Sequence, residues 1–520
     1  MNKKKLVLEL LSQSYLNSKI LASFKRKYAK QSGVFLKNSE ILSTYKKLVK
    51  KKLIKASKSF ETVLRIKKVR SLSGIVAIAV LTKPYDCPGQ CVYCPTQKNM
   101  PKSYLKDEPA VMRAKMANFD PYLQVQRRIR QLQETGHSTE KIELIVMGGT
   151  FSCLPDKYQK EFIKSCFDAA NNKRSESLKK AKSLNEKAKN RIIGITLETR
   201  PDQINVNEIK KMRLLGATRV EIGIQSIYDD VLAKIKRGHL VKQSIKATKL
   251  LKDAGFKVCY HLMPNLPASS FKKDLAMFKT VFSNPDFKPD MLKIYPCVVV
   301  YQAKLYSWYK KGTFTPYDDS KLIKLLISIK KIVPPWVRIN RLGRDIPIAN
   351  IVAGTKLSNI RQVLQKKLKK ENIKCQCIRC REIKQNKLMN DALIFKMKKY
   401  KASKGTEYFL QYTDKQEKLY ALLRLRIPSL KTQKNHFLKT LNGAGIIREL
   451  HTYGKSIPIS RKEDKAVQHI GLGKKLIHKA ETICKKEGIK KIAVISGIGA
   501  REYYRKLGYT LSDTYMEKKL

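Results

Sequence analysis

The stretch Cys87-Pro-Gly-Gln-Cys91-Val-Tyr-Cys94 constrains this chain more than any other, because it sets three thiols at spacings of four and three residues between Lys83 and Thr96. Thiolates are soft ligands suited to zinc or to an iron–sulfur cluster, and the Pro-Gly pair supplies the tight turn that lets the sulfurs converge. Only three ligands are offered locally. A closed structural zinc site asks for a fourth protein ligand nearby, whereas a four-iron four-sulfur cluster held by three cysteines leaves one iron open to bind and reduce a substrate. The competing reading is half of a zinc knuckle.

The 520 residues give room for two to four domains at roughly 100–200 residues each. Lys and Arg number 109 against 42 Asp and Glu, a formal net charge of +67, so the natural partner is a polyanion, with a membrane surface the weaker alternative. No membrane span is expected, since the apolar stretch Gly74 to Thr82 is far shorter than the roughly 20 residues a bilayer requires. A signal peptide is not expected either: a glutamate interrupts Leu-Val-Leu-Glu-Leu-Leu after Met1-Asn-Lys-Lys-Lys, and no small-residue cleavage site follows. The 11 cysteines fall into two tight clusters plus scattered singles, a pattern of metal binding rather than disulfides, which points to a reducing cytoplasm.

Residues 1–70 read as a basic helical module. Leu6, Leu10, Ile20, Leu21, Phe24 and Tyr28 lie on approximate helical stripes, while 20 lysines and arginines face three glutamates, Glu9, Glu40 and Glu61. A solvated lysine face is the plain alternative, but the imbalance favours contact with a phosphate backbone.

From Gly74 the pattern turns to strands alternating with helices, which implies a parallel sheet, closed or partly closed as a barrel over residues 71–330, with working residues at the C-terminal strand ends. The polar and glycine clusters occupy those ends: Gly148-Gly149-Thr150, Glu198-Thr-Arg200-Pro-Asp202, Glu221-Ile-Gly223-Ile-Gln225-Ser226, and finally Lys293-Ile-Tyr295-Pro296. Taken singly, Gly-Gly can be only a turn and Glu-x-x-Gln a satisfied core pair; in register behind the cysteine loop they read as a cofactor site. Lys293 either holds an anionic ligand at the barrel mouth or is one lysine among many.

Residues 331–395 read as a linker carrying Arg341, Arg344 and a second thiol cluster, Cys375-Gln-Cys377-Ile-Arg-Cys380. Its expected occupant is a structural zinc with a fourth ligand that the sequence does not identify; a second iron–sulfur cluster is the lesser option. Residues 396–520 change class again. Strands around Tyr408 and Leu419 and from Ile446 precede Gln468-His-Ile-Gly471-Leu-Gly473, a turn that opens a helix and so offers free N–H groups and positive dipole to a pyrophosphate. A strand from Lys491, the segment Arg501-Glu-Tyr503-Tyr504-Arg505 and a strand near Tyr515 follow; at least one of the two tyrosines has the position of a core aromatic.

The first cysteine loop, with Tyr93 before its last cysteine, resembles the signature of radical S-adenosylmethionine (SAM) enzymes. The C-terminal order resembles the GNAT acetyltransferase fold. Their fusion, with the phrases Met147-Gly-Gly-Thr-Phe, Glu198-Thr-Arg-Pro-Asp, Arg344-Asp-Ile-Pro, Arg448-Glu-Leu-His and Tyr503-Tyr-Arg-Lys-Leu-Gly-Tyr, resembles the catalytic subunit of Elongator and its stand-alone archaeal and bacterial relatives, the tRNA carboxymethyluridine synthases. That resemblance implies an α/β chain in which a partial (β/α) barrel is followed by the linker and a GNAT domain. It implies a 4Fe-4S cluster on Cys87, Cys91 and Cys94, and SAM held by Gly148, Gly149, Thr150, Glu198, Arg200 and Gln225. It further implies acetyl-CoA on Gln468, Gly471 and Gly473 with Tyr504 near the thioester, and Tyr503 and Lys293 as further catalytic candidates. The substrate would be the wobble uridine of tRNA, carboxymethylated at carbon 5, with the barrel mouth facing the GNAT cleft and the anticodon loop between them. No accessory subunit is specified. The rival reading from another class is a protein lysine acetyltransferase with a structural cluster, although a chain this basic repels lysine-rich tails; a non-catalytic RNA-binding scaffold is the third.

Overall fold

The computed structural model describes residues 2–65, 74–383, 393–454 and 471–520. Four helices open it: α1 (Lys3–Leu11), α2 (Ser18–Ser32), α3 (Asn38–Lys50) and α4 (Lys58–Leu64). Asn2 and Asn17 cap the first two by accepting backbone N–H bonds, and apolar residues at helical spacing, among them Leu6, Leu10, Ile41, Tyr45 and Phe60, form a core of their own. The module docks through polar stitches, Lys46 Nζ donating to the Gln133 carbonyl at 2.9 Å and Arg65 Nε to the Gly136 carbonyl at 2.8 Å.

The next unit is a parallel sheet in the order β1 (Val76–Leu81), β2 (Lys141–Met147), β3 (Arg191–Thr199), β4 (Arg219–Gln225), β5 (Lys257–Leu262), β6 (Met291–Ile294) and β8 (Arg338–Leu342). Helices cross between consecutive strands, as parallel pairing demands. Alternation decides which side chains enter the lumen: Ile142, Leu144 and Val146 of β2 are buried under the helices, leaving Lys141, Glu143 and Ile145 on the inner face. β8 lies within the segment expected to be linker, so the barrel series does not close at Lys293; Arg338 pairs opposite Met291 and Arg341 opposite Lys293. A small ladder joins β7 (Val299–Val300) to β9 (Ile351–Ala353).

The C-terminal sheet runs β10 (Ile394–Ala402), β11 (Gly405–Thr413), β12 (Leu419–Ile427), β13 (Ala444–Thr452), β14 (Lys491–Val494), β16 (Tyr515–Lys519) and β15 (Thr510–Ser512). β10 is a strand that the sequence reading missed: its outer positions are lysines, which blunt the hydrophobic alternation. All pairs are antiparallel except β13 with β14, which pair in parallel only over Ala444–Ile447. Past Ile447, β13 continues to Thr452 while the chain after Val494 turns away, and that splay opens a cleft. The helix Leu472–Lys486 starts beside it.

The two sheets are locked by a buried charge network. Arg448 reaches Asp290 at 3.0 Å and Glu407 at 2.9 Å; Arg426 reaches Asp253 and Glu407, each at 3.0 Å; Arg424 pairs with Glu449 at 2.7 Å. Lys252 lies 3.6 Å from Asp290 and 3.7 Å from Glu407. Four cations thus meet four carboxylates, and only that balance makes their burial tolerable. The turn at Gly497 closes the seam elsewhere: a Cβ there would stand 1.9 Å from the Ile193 carbonyl oxygen on β3.

Candidate active site

Seen from the strand ends, the cysteine loop follows β1, and the expected cofactor residues cluster against it. The Cys87 sulfur lies 3.7 Å from the Thr150 hydroxyl, and the Gly89 N–H points at it from 3.4 Å. Gly148 has φ of +133°, and a Cβ on it would meet the Thr82 hydroxyl at 2.1 Å, so only glycine carries the backbone through this bend. Arg200 is buried; its Nε binds Asp202 at 3.0 Å and one Nη the Arg237 carbonyl at 2.9 Å, while Nη1, beside Gly89, has no partner. Gln225 ends β4 at φ +67° with its buried Oε1 also unpartnered. A buried guanidinium nitrogen and a buried amide oxygen left open beside three thiols fit a polar, partly anionic ligand at the cluster site. Burial lifts the Cys94 thiol to about 11, with the neighbouring Cys91 adding to it, which fits a sulfur that gives up its proton to a metal.

The sequence reading missed Arg237 and His239, which lie off the strand-end motifs. The Arg237 Nη1 stands 3.4 Å from the Cys91 sulfur, and His239, its Nδ1 3.8 Å from Asp202 and neither ring nitrogen hydrogen-bonded, is held neutral, its pKa pushed down to about 3 by burial and by Arg237.

Below this cluster a file of charged groups descends the lumen. The Tyr104 hydroxyl donates to Glu198 at 2.9 Å; Lys293 Nζ reaches Glu198 at 3.4 Å and also contacts Glu221; Glu221 meets His261 at 2.9 Å; Arg219 lies 3.7 Å from Glu221 and 2.8 Å from Glu143. Lys293 is therefore neither a solvated lysine nor a free cation. Burial opposes its charge, but Glu221 and Glu198 outweigh that and raise its pKa. Glu221, Cys259 and His261 bring ligand atoms within 4.8 Å of one another, yet the Lys293 ammonium already supplies the cation there.

At the other end of the file lies a cavity of about 740 Å³, of the size that takes a cofactor. Its barrel wall consists of Ile75 just before β1 and the first residues of the strands, Lys141, Arg191, Arg219, Lys257, Met291 and Arg338; its other wall is the splayed GNAT-type cleft, with Gly471, Gly473, Tyr503 and Tyr504. The cleft thus faces the N-terminal ends of the barrel strands, opposite the cysteine loop. This overturns the expectation that the barrel mouth faces the cleft: about 20 Å of strand separates the two sites at 3.3 Å per residue, with the charged file of the lumen between them. Tyr503's hydroxyl stands over Gly473, 2.8 Å from where a Cβ would lie, and the Tyr504 ring packs edge-on between Tyr503 and Tyr509. Gln468 lies outside the described residues. His451, quoted from the sequence only within the phrase Arg448-Glu-Leu-His and given no role there, lines the same cavity with Nε2 unpartnered; burial pushes its pKa down to about 4, leaving a neutral imidazole.

Cys375, Cys377 and Cys380 draw their sulfurs within 4.8 Å of one another beside the edge of the barrel, where the Ile378 N–H donates to the Val337 carbonyl at 3.0 Å. Arg344 of the expected linker pairs with Glu108 at 3.3 Å and binds Ser103 just beyond the cysteine loop.

Family models match in the same order: "Radical SAM superfamily" over residues 82–278, "Radical_SAM C-terminal domain" over 289–370 and "Acetyltransferase (GNAT) domain" over 464–519. A protein of Methanocaldococcus infernus named tRNA uridine(34) acetyltransferase is 47% identical over 498 residues, covering 93% of this chain and 91% of its own. Human Elongator complex protein 3 is 40% identical over 474 residues, covering 88% and 86%. The chain belongs to the Elongator complex protein 3 family. The solved archaeal Methanocaldococcus infernus Elp3 lacking residues 1–46 matches with a TM-score of 0.75 at 44% identity, over 86% of this chain and 100% of that one. As in that family, a radical SAM half-barrel and a GNAT domain make this chain an acyltransferase, and the two domain types imply a 4Fe-4S cluster with SAM and acetyl-CoA. Among the described residues no helix is long and apolar enough to cross a membrane.

Proposed function

We propose that this enzyme is a cytoplasmic tRNA carboxymethyluridine synthase that builds a carboxymethyl group onto carbon 5 of the wobble uridine. The observation that carries the reading is the single cavity that joins the GNAT cleft to the lower lumen of a barrel whose upper end holds the cysteine loop. When bound, the cluster with SAM supplies a 5′-deoxyadenosyl radical, and acetyl-CoA supplies the two-carbon unit. Cys87, Cys91 and Cys94 would hold the cluster, and Gly148, Gly149, Thr150, Glu198, Arg200 and Gln225 would hold SAM. Arg200's open nitrogen suits the carboxylate, and the glycine backbone admits the amino group.

At the far end, Gln468, Gly471 and Gly473 would cradle the pyrophosphate at a helix N-terminus, with Tyr504 and Tyr503 beside the thioester and His451 able to take a proton at Nε2. Between the sites, Lys293 with Glu198 and Glu221 would fix the reacting group and exclude bulk water from the lumen. The 20 basic residues of positions 1–70 and the charge of +67 support capture of the tRNA anticodon arm. A zinc on Cys375, Cys377 and Cys380 would staple barrel to GNAT domain without entering the chemistry.

The test supplies SAM, reductant, tRNA and acetyl-CoA labelled in the acetyl methyl. Label is expected in carboxymethyluridine and none with Cys94→Ala. Label passing to protein lysines at equal rate with or without the cluster would establish the lysine acetyltransferase reading instead.

A further inference from the structure

A surface beside the cysteine loop takes no part in holding either cofactor. Residues 299–314 carry three lysines and five aromatic side chains and no acid. Tyr301 is 59% exposed although its ring pairs with Tyr306 at 5.1 Å, and Lys304, Lys310 and Lys311 are solvated around the helix Leu305–Lys310. Lys234 Nζ lies 5.4 Å from the centre of the Trp308 ring, and the acids of its own helix are engaged elsewhere: Asp229 accepts the Val241 N–H at 2.7 Å and Asp230 pairs with Lys273. Aromatic rings left open among lysines, in a segment without an acid, mark a contact face for an anionic macromolecule.

Its position decides what kind. The Leu305 N–H donates at 2.8 Å to the carbonyl of Val92, which lies between Cys91 and Cys94 in the chain; the Thr96 N–H donates to the Gln302 carbonyl at 2.9 Å, and the Val92 N–H to the Ile235 carbonyl, next to Lys234, at 3.1 Å. The face is thus sewn to the cysteine loop, where Pro88 and Gln90 are exposed and Cys87 and Cys94 half-buried, so a cluster held there would lie just beneath it. RNA is served at the other end. The basic helices dock on Gln133 and Gly136, in the stretch that leads into β2, and the cavity shared with the GNAT cleft opens on those same strand starts. An RNA loop whose base reaches that cavity is held about 20 Å of strand away from Tyr301. What the cysteine-loop end still requires is an electron, because a 4Fe-4S cluster must be reduced before it cleaves SAM and the reductant comes from outside the chain.

We propose that the face formed by residues 301–311 and Lys234 docks a small acidic electron-transfer protein, which passes one electron to the cluster by way of the hydrogen bond between Leu305 and Val92. The donor is oxidised by one electron and the cluster is reduced by the same electron; no bond is made or broken and no proton has to move. Complementary charge steers the encounter, and the open rings seat the partner close to the cysteines. This requires the cluster but not the tRNA product, so it stands or falls apart from the synthase reading.

The test uses the full chain with its cluster reconstituted and two acidic probes, a reduced two-cluster ferredoxin and a reduced flavodoxin, mixed anaerobically by stopped flow while the cluster absorbance is followed. With at least one probe the rate constant should fall as salt rises, and the paired substitution Lys310→Glu with Lys311→Glu should lower it about 10-fold or more, as should Tyr301→Glu. Photoreduced deazariboflavin, small and uncharged, should reduce wild type and variants alike, with iron content and tRNA affinity unchanged. In calorimetry the oxidised probe should bind wild type and not the variants, a readout that needs no electron transfer. Reduction by the probes that ignores both salt and these substitutions would overturn the proposal, and so would failure of both probes to bind or reduce the wild type. Variants slowed equally with deazariboflavin would place the defect in the cluster rather than in docking, which also overturns it. Lost tRNA affinity with electron transfer intact would make the face an RNA surface instead.

Discussion

Replacing Gly497 by alanine tests the seam on which the shared cavity depends. The residue has φ −70° and ψ 152°, ordinary extended backbone for alanine, so nothing local penalises the change. Fewer unfolded conformations would by themselves make alanine stabilising by about 0.4–1 kcal/mol. The opposing effect is contact. The new Cβ would stand 1.9 Å from the Ile193 oxygen and 2.4 Å from its carbon, both backbone atoms of β3; reaching ordinary contact at 3.4 Å takes a retreat of about 1.5 Å. Two residues on, Gly499 is also pressed against the barrel, a Cβ there standing 2.5 Å from the Arg191 Cβ, so the turn cannot pivot and must lift off the barrel. Overpacking of this kind costs about 1–3 kcal/mol, which exceeds the entropic gain. Urea unfolding of the full chain should show a net loss of about 1–2 kcal/mol, with faster amide exchange in β3 and weaker acetyl-CoA binding. A variant as stable as wild type or more so, with β3 protection intact, would mean that the GNAT turn does not bear on the barrel as described.

The buried network makes stability depend on acid. Burial raises the Glu449 pKa, but Arg424 and Lys257 outweigh it and hold the group at about 2 against an ordinary 4.5, so its stabilisation is present above about pH 4.5 and is lost as pH falls toward 2. Glu449→Gln should cost about 3 kcal/mol at pH 7, with the deficit closing across that window in acid unfolding curves; a deficit that does not change with pH would refute the linkage. Gly473→Asp should abolish acetyl-CoA binding by calorimetry, because the side chain would enter the space beneath the Tyr503 hydroxyl and repel the pyrophosphate. Tyr504→Phe should lower acetyl-CoA turnover with cluster content and tRNA affinity unchanged, and unaltered turnover would remove that tyrosine from the chemistry. Affinity for tRNA should fall with salt at a log–log slope of about −0.7 to −0.9 per phosphate neutralised, and removing residues 1–65 should flatten the slope; salt-insensitive binding would end the electrostatic account.

What the sequence determined by itself is what local spacing encodes. The thiol spacing of Cys87, Cys91 and Cys94, the two-residue and helical periodicities that alternate from Gly74, and the glycine turn before Leu472 each act within one strand, loop or helix, so they could be read before any folding. β10 and β8 escaped because exposed lysines in the first and half-buried arginines in the second blur alternation at a sheet edge. Only the tertiary structure decided the rest, because each remaining feature joins residues far apart in the chain. Arg424, Arg426 and Arg448 look like ordinary polar positions of strands until Asp253, Asp290 and Glu407 arrive to neutralise them. Lys330 looks like one solvated lysine of a pair until packing carries it against Cys377 and Cys380. Which end of the barrel meets the GNAT cleft is likewise set by that charge network and by the Gly497 turn against Ile193. Local periodicity does not distinguish the two ends of a strand, whereas complementary buried charge admits one docking.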